Sequence, residues 1–393
     1  MTAIPESVRA EFPILAERTY VVNHSLGAVP ASTKQAMEEF VDAWATLGPS
    51  AWEGPWWATL EEFCANLEHI LGGAKGTVVP MQNATRAMAA VASGLTYRTP
   101  RNRVVMTELE FTTFYPFWRN QETLGAELVV VPSDDQISVP VERIVKAIDD
   151  RTLIVPTCDV YFRSGARQDL KAIVQAAHEH GAMVIGDGYQ AVGCVPVDVK
   201  KLGIDFYVGG SHKWLCGGAG AGFLYVRPDL AATFEPRLTG WFGLADPFAY
   251  EKDLSGKKRH PGAFRFMDGT PNVPALYGAR EGVRAIRRVG VDNIHRHNQD
   301  LTERLRQGAT ERGLEIRSPA DRNKRSAMTC LAFDGSQETC AQLNERGVMV
   351  DWRPGSGIRV SPHFYSTRAD IDAFFEALDA VRVRGSQAAV RPA

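Results

Sequence analysis

The chain has 393 residues, with 44 Lys+Arg against 46 Asp+Glu and a formal net charge of -2. That balance excludes a nucleic-acid binder working by bulk positive charge. An apolar fraction of 45% and a charged fraction of 23% exclude a disordered chain. No run of about 20 apolar residues suggests a membrane span, and Met1 to Glu17 lacks the apolar centre of a secretory signal. The six cysteines form no Cys-x-x-Cys pair. The expectation is a reduced, cytoplasmic enzyme of two or three domains, with no partner membrane or nucleic acid.

In chain order, apolar β-rich runs alternate with helical patterns. Strands are expected at 77–80, 103–106, 127–131, 152–156, 182–186, 205–208 and 222–226. Helices are expected at 84–95, 141–148 and 169–180. Such alternation implies βαβ units and a mainly parallel sheet flanked by helices. After Trp241 a Pro/Gly-rich segment intervenes. Two long helices follow at about 275–289 and 292–312, then shorter strands at 314–317, 327–333, 348–351 and 357–361, and a last helix at 368–381. We expect an N-terminal segment over 1–30, a large domain over 31–275 and a smaller α+β domain over 276–393.

The chemistry concentrates at the ends of the expected strands. Gly209-Gly210-Ser211-His212-Lys213 follows one of them and runs into Gly217-Gly218-Ala219-Gly220. A lysine in such a place is dehydrated and suits Schiff-base chemistry. A surface lysine in a glycine loop is the plain alternative. Asp187 ends another strand, where α/β sheets place their ligands. Pyridoxal phosphate needs both groups, a lysine for its aldehyde and an acid for its ring nitrogen. Asn83-Ala84-Thr85 follows a strand and opens a helix, which suits a phosphate, although taken singly it reads first as an ordinary helix cap. Phe111 follows the 103–106 strand as a ring to stack on a cofactor. Arg359 interrupts an apolar strand; its fork suits a substrate carboxylate, and a structural ion pair fits as well. Trp52-Glu53-Gly54-Pro55-Trp56-Trp57 reads as a packed loop or as a wall for an aromatic side chain. The histidine pairs His178/His180 and His295/His297 lie two apart, on different helix faces, so no metal site is expected.

Taken together, these motifs resemble the class V aminotransferase superfamily of fold-type I pyridoxal-phosphate enzymes. The resemblance implies a large domain with a mainly parallel seven-stranded sheet, a smaller C-terminal domain and a homodimer with shared active sites. It makes Lys213 and Asp187 catalytic and gives cofactor contacts to Asn83, Ala84, Thr85, Phe111, Ser211 and His212. Asp187-Gly188-Tyr189-Gln190 is similar to the superfamily's Asp-x-x-Gln pattern, which adds Gln190. Gly269-Thr270-Pro271-Asn272 is similar to a segment whose Thr reaches the partner's cofactor phosphate, which adds Thr270. Within the superfamily the kynureninase-like branch looks nearest. Asn23-His24-Ser25-Leu26-Gly27, Tyr161-Phe162-Arg163-Ser164-Gly165 and Gly240-Trp241-Phe242-Gly243 resemble its signatures. They imply Trp241 as a cofactor contact, and Asn23, Ser25 and Arg359 as substrate contacts. Three places depart from that branch: His212 where it has Tyr, Leu244 where it has His, and Phe111-Thr112-Thr113-Phe114 where it has Phe-Pro-Thr/Ser-Asp. The implied reaction is side-chain cleavage of an amino acid. Transamination, and epimerisation or β-elimination of the cysteine-desulfurase kind, are the alternatives.

Overall fold

The structure is a computed structural model that describes residues 6–250 and 259–389. Its centre is a seven-stranded sheet of Val78–Met81 (β1), Arg103–Thr107 (β2), Glu127–Val131 (β3), Thr152–Cys158 (β4), Met183–Asp187 (β5), Phe206–Gly210 (β6) and Gly222–Val226 (β7). The order is β1-β7-β6-β5-β4-β2-β3. All neighbours are parallel except β7, which runs antiparallel to both β1 and β6. The mainly parallel α/β expectation therefore holds. β1, β6 and β7 are buried along their whole length, as continuous apolar runs covered on both faces should be.

Eleven-residue helix Ala84–Gly94 and its neighbours cover the sheet. In chain order the main helices are Ser32–Leu47 (α1), Trp57–Leu71 (α2), Ala84–Gly94 (α3), Leu170–Glu179 (α4), Val273–Val289 (α5), Val291–Glu311 (α6) and Arg368–Ala389 (α7). Short polar side chains start two of them. Asn83 Oδ1 accepts the Arg86 N–H at 2.9 Å, and Asp169 Oδ1 accepts the Ala172 N–H at 3.1 Å. α1 and α2 carried no motif and escaped the reading above. They pack against α5.

A second sheet, wholly antiparallel, joins Glu315–Ile316 (β8), Thr329–Ala332 (β9), Asp351–Arg353 (β10) and Gly357–Val360 (β11) in the order β10-β11-β9-β8. The single strand expected at 348–351 is two. Val348–Met349 leaves this sheet to pair in parallel with Thr19–Tyr20, and Asp351 begins β10. The larger core holds Leu276, Ala279, Val283 and Ile286 of α5, while the smaller core begins at Leu301 of α6. Packing thus passes from one core to the other within α6. The N-terminal segment ties the two together: Val21 lies in the smaller core, Tyr20 and Val22 in the larger.

Candidate active site

The C-terminal ends of β1, β4, β5 and β6 meet at one cavity of about 250 Å³. This is where a parallel sheet leaves backbone groups and loop side chains free to face a ligand. Asn83, Ala84 and Thr85 line it from the start of α3, Phe111 and Thr113 from the loop after β2, and Cys158, Val160 and Phe162 from the end of β4. Asp187, Tyr189 and Gln190 follow β5, and His212 and Lys213 follow β6.

Lys213 Nζ lies over two aromatic rings, 5.4 Å from the Phe111 centroid and 4.9 Å from that of Tyr189. Burial lowers its pKa to about 8, against the pull of Asp187, which favours the charged form. A substantial neutral fraction near pH 8 makes the amine a nucleophile. Asp187 is buried, and that burial raises it to about 6 against the Tyr189 N–H, which donates to Oδ1 at 2.8 Å. A cationic ring nitrogen beside Asp187 would restore its charged form. Burial, and then Lys213, lower the pKa of His212. Its Nδ1 sits 3.1 Å from the Tyr189 hydroxyl.

Two glycines allow this arrangement. A Cβ on Gly210 would lie 2.0 Å from the Tyr189 hydroxyl oxygen, so the phenol needs that gap. A Cβ on Gly27 would lie 2.1 Å from the Lys213 carbonyl oxygen. There the N-terminal segment runs directly over the lysine, and the Gly27 N–H donates to His212 O at 2.8 Å.

Of the residues singled out in the sequence, Lys213, Asp187, Gln190, Asn83, Ala84, Thr85, Phe111 and His212 share the cavity wall. Gln190 is fixed at both ends: it donates to His24 O at 3.0 Å and accepts from Trp214 Nε1 at 2.9 Å. Thr85 and Thr113 pair through their hydroxyls at 2.8 Å. The others do not line it. Ser211 is buried behind the wall, donating to Gly218 O at 2.7 Å. Trp241 packs on Phe242, with ring centroids 4.0 Å apart. Thr270 sits in a loop whose Gly269 and Pro271 border a separate small cleft with Pro80, Met81 and Gln82. Asn23 is wholly buried, donates to Ser361 O at 2.8 Å and accepts from the Tyr365 hydroxyl. Ser25 donates its N–H to Val22 O at 2.9 Å in a turn outside the cavity wall. Arg359 is 3% exposed and is bound to Asp351 through Nε at 2.7 Å and Nη2 at 2.5 Å. In the Trp52–Trp57 segment, Trp56 stacks on Phe40 at 5.2 Å and Trp57 on Phe242 at 5.7 Å. The segment is a packed aromatic cluster.

Tyr189, Phe162 and Cys158 line the cavity without having been singled out as site residues. Each lies at or just beyond a strand end, the signal that selected Asp187. Glu110 was not singled out as a site residue either. It is buried, accepts from Thr107, Thr157 and the Cys158 N–H at 2.7, 3.0 and 2.7 Å, and burial raises its pKa to about 7. It braces the turn that presents Phe111.

The cavity matches the needs of pyridoxal phosphate. One amine of lowered pKa, one buried acid, flanking aromatic rings and a helix N-terminus face a common space. The family comparison agrees. The model of the family described as "Aminotransferase class-V" matches residues 27–374, and the chain belongs to that family. The chain is 29% identical over 376 residues to an uncharacterized aminotransferase, YcbU, of Bacillus subtilis, covering 94% of this chain and 96% of that protein. It is 27% identical to a kynureninase of Pseudomonas fluorescens, covering 96% and 91% of the two chains. The solved structure of a cysteine desulfurase from Thermococcus onnurineus superposes with a TM-score of 0.86 at 24% identity, covering 97% and 98% of the two chains, and so shares the fold.

Proposed function

We propose that this class-V family member, a pyridoxal-phosphate enzyme, cleaves the side chain of an amino acid in the manner of a kynureninase, with Lys213 as cofactor lysine and base. The observation that carries the reading is the shared cavity wall of Lys213 and Asp187, with the amine over Phe111 and Tyr189. The bound cofactor supplies an electron-withdrawing ring that acidifies the substrate Cα–H. Asp187 holds the ring nitrogen, and the start of α3 with His212 receives the phosphate. Arg359 takes the substrate carboxylate. Lys213 Nζ, once freed, accepts the α-proton, and its lowered pKa suits a base near neutral pH. Val160, Phe162 and Phe111 give the side-chain space an apolar wall, which favours an aromatic or other apolar substrate. The same reading makes the enzyme a homodimer. Exposed Val41, Trp44 and Leu47 on α1 support it.

Transamination is the second reading, favoured by Leu244, which lacks the acid–base capacity of the histidine it replaces. A sulfur-transfer reading is weaker. Handing sulfur to a protein thiol needs an accessible thiolate, whereas all six cysteines are buried and Cys158, on the cavity wall, has its thiol pushed well up by burial.

The test is a single turnover of cofactor-loaded protein with kynurenine, 3-hydroxykynurenine and a panel of amino acids, without a keto-acid acceptor. Alanine plus an aromatic acid, with pyridoxal phosphate regained, is the expected outcome. A keto acid plus pyridoxamine phosphate makes the protein an aminotransferase instead.

A further inference from the structure

Arg359 is surrounded by a polar network that the chemistry above does not use. Asp351 and Arg359 are register partners across β10 and β11. The Asp351 carboxylate grips the guanidinium along one edge, Nε at 2.7 Å and Nη2 at 2.5 Å, while Nη1 donates to Phe162 O at 2.6 Å. A guanidinium has five N–H groups. These three bonds leave one N–H on each terminal nitrogen, free to donate to a second carboxylate. Phe162, whose carbonyl holds Nη1, is itself part of the Lys213 cavity wall.

Asp351 is in turn held by His24, wholly buried, whose Nε2 lies 2.8 Å from Oδ1. Its polarity can be read. Burial pushes the Asp351 carboxyl up, but the hydrogen bond from His24 and the Arg359 charge outweigh it and hold it well below the usual carboxylate range. A carboxylate only accepts, so His24 Nε2 donates. Burial, then Arg359, lower the His24 pKa to about 4, so the ring is neutral and Nδ1 accepts from the Ser361 hydroxyl at 2.5 Å. The Ser361 oxygen accepts the His24 N–H at 3.1 Å. The His24 carbonyl binds Gln190, so one residue braces both the cofactor wall and the arginine.

The network also keeps its positive charge. Arg353 Nη2 lies 3.2 Å from Asp351 Oδ2, so two guanidiniums share one carboxylate. With His24 neutral the cluster carries one net positive charge and still attracts an anion.

We propose that Asp351, held by His24, is the positioning residue for Arg359, fixing the guanidinium so that its free N–H groups receive the carboxylate of the amino acid at Lys213. The proposal rests on the reading that Arg359 is the carboxylate site.

A matched pair of ligands tests the two separately. L-Alanine and ethylamine both engage the lysine-bound cofactor through their amine, and only L-alanine has a carboxylate. Their affinities for the holoenzyme are measured from the change in cofactor absorbance. Asp351→Asn weakens L-alanine at least about tenfold and ethylamine less than twofold. Asp351→Glu recovers part of the loss. His24→Gln, which leaves every charge of the cluster in place, gives a smaller loss of the same selectivity. Equal weakening of both ligands by Asp351→Asn would reduce Asp351 to a structural role and overturn the proposal. So would unchanged or tighter L-alanine binding. Arg359→Gln is the control: if it keeps the preference for L-alanine, the carboxylate reading itself fails.

Discussion

The molecule places two cations beside the same cavity and treats them in opposite ways. Lys213 has aromatic faces around its amine, and burial brings its pKa down to about 8. Arg359 has a carboxylate along one edge and a carbonyl at its tip. The contrast fits the role proposed for each group. A lysine that captures an aldehyde and later takes a proton has to lose its charge readily, and desolvation without a close counter-ion achieves that. An arginine that orients an anion has to keep its charge and its direction, so it is buried only with partners. The same N-terminal segment serves both, through Gly27 over the Lys213 carbonyl and His24 behind Arg359.

The strongest break of this contrast is at the lysine. On the proposed reading Lys213→Ala removes both the cofactor attachment and the base, and steady-state turnover should fall at least ~10³-fold. A variant with full turnover would place the chemistry elsewhere. Asp187→Asn keeps the shape and removes the charge facing the ring nitrogen. Turnover should drop about 10²-fold, and the equilibrium constant for cofactor retention should weaken with it. The lowered lysine pKa has its own signature. The neutral amine is the form that attacks, so covalent capture of pyridoxal phosphate by the cofactor-free protein should speed up as pH rises through about 8. Stopped-flow absorbance reads it. An inflection near the ordinary lysine value of 10.5 would mean that burial leaves the amine untuned.

The two regions were unequally legible in the sequence. The Lys213 pocket is built from strand ends, and each strand is a short apolar run closed by a polar or glycine-rich turn. Lys213, Asp187 and Phe111 could therefore be found one at a time, and the parallel sheet brings them together without further information. Arg359 stood out as a charge in an apolar strand, yet its partner could not be read. Asp351 is eight residues away across a turn, and the break in the expected 348–351 strand puts it in register with Arg359. His24 is farther still, 327 residues from Asp351. Asn23 looked like a substrate contact because its neighbours carry a signature, whereas its side chain closes the joint between the cores through Ser361 and Tyr365. Helices α1 and α2 escaped notice because packing against α5, rather than any motif, is what holds them.

The smallest expected effect belongs to the arginine region and concerns stability. His24 is neutral in the fold, with its pKa lowered from 6.5 to about 4, chiefly by burial and then by Arg359. The unfolded chain binds a proton at this residue as pH falls below 6.5, and the folded chain does so only near 4. Protons thus favour unfolding between those limits, and the stability His24 lends is complete above 6.5 and lost as pH drops toward 4. The groups facing the ring fit this sign. Arg359 and Lys213 disfavour its proton, Asp351 favours it, and the balance is downward. By pH 5 the loss should be about 2 kcal/mol. His363, lowered to about 3 by burial, contributes in the same direction, so the wild-type slope alone does not isolate His24. His24→Gln does. Denaturant midpoints of the two proteins from pH 7 to pH 5 should converge as the pH falls, because the glutamine variant has no proton to bind there. A constant difference across that range would mean that His24 takes up its proton in the fold as readily as in the unfolded chain. At pH 5 the Arg359 cluster would then carry two net positive charges instead of one, and could not be the restrained, singly charged clamp described above.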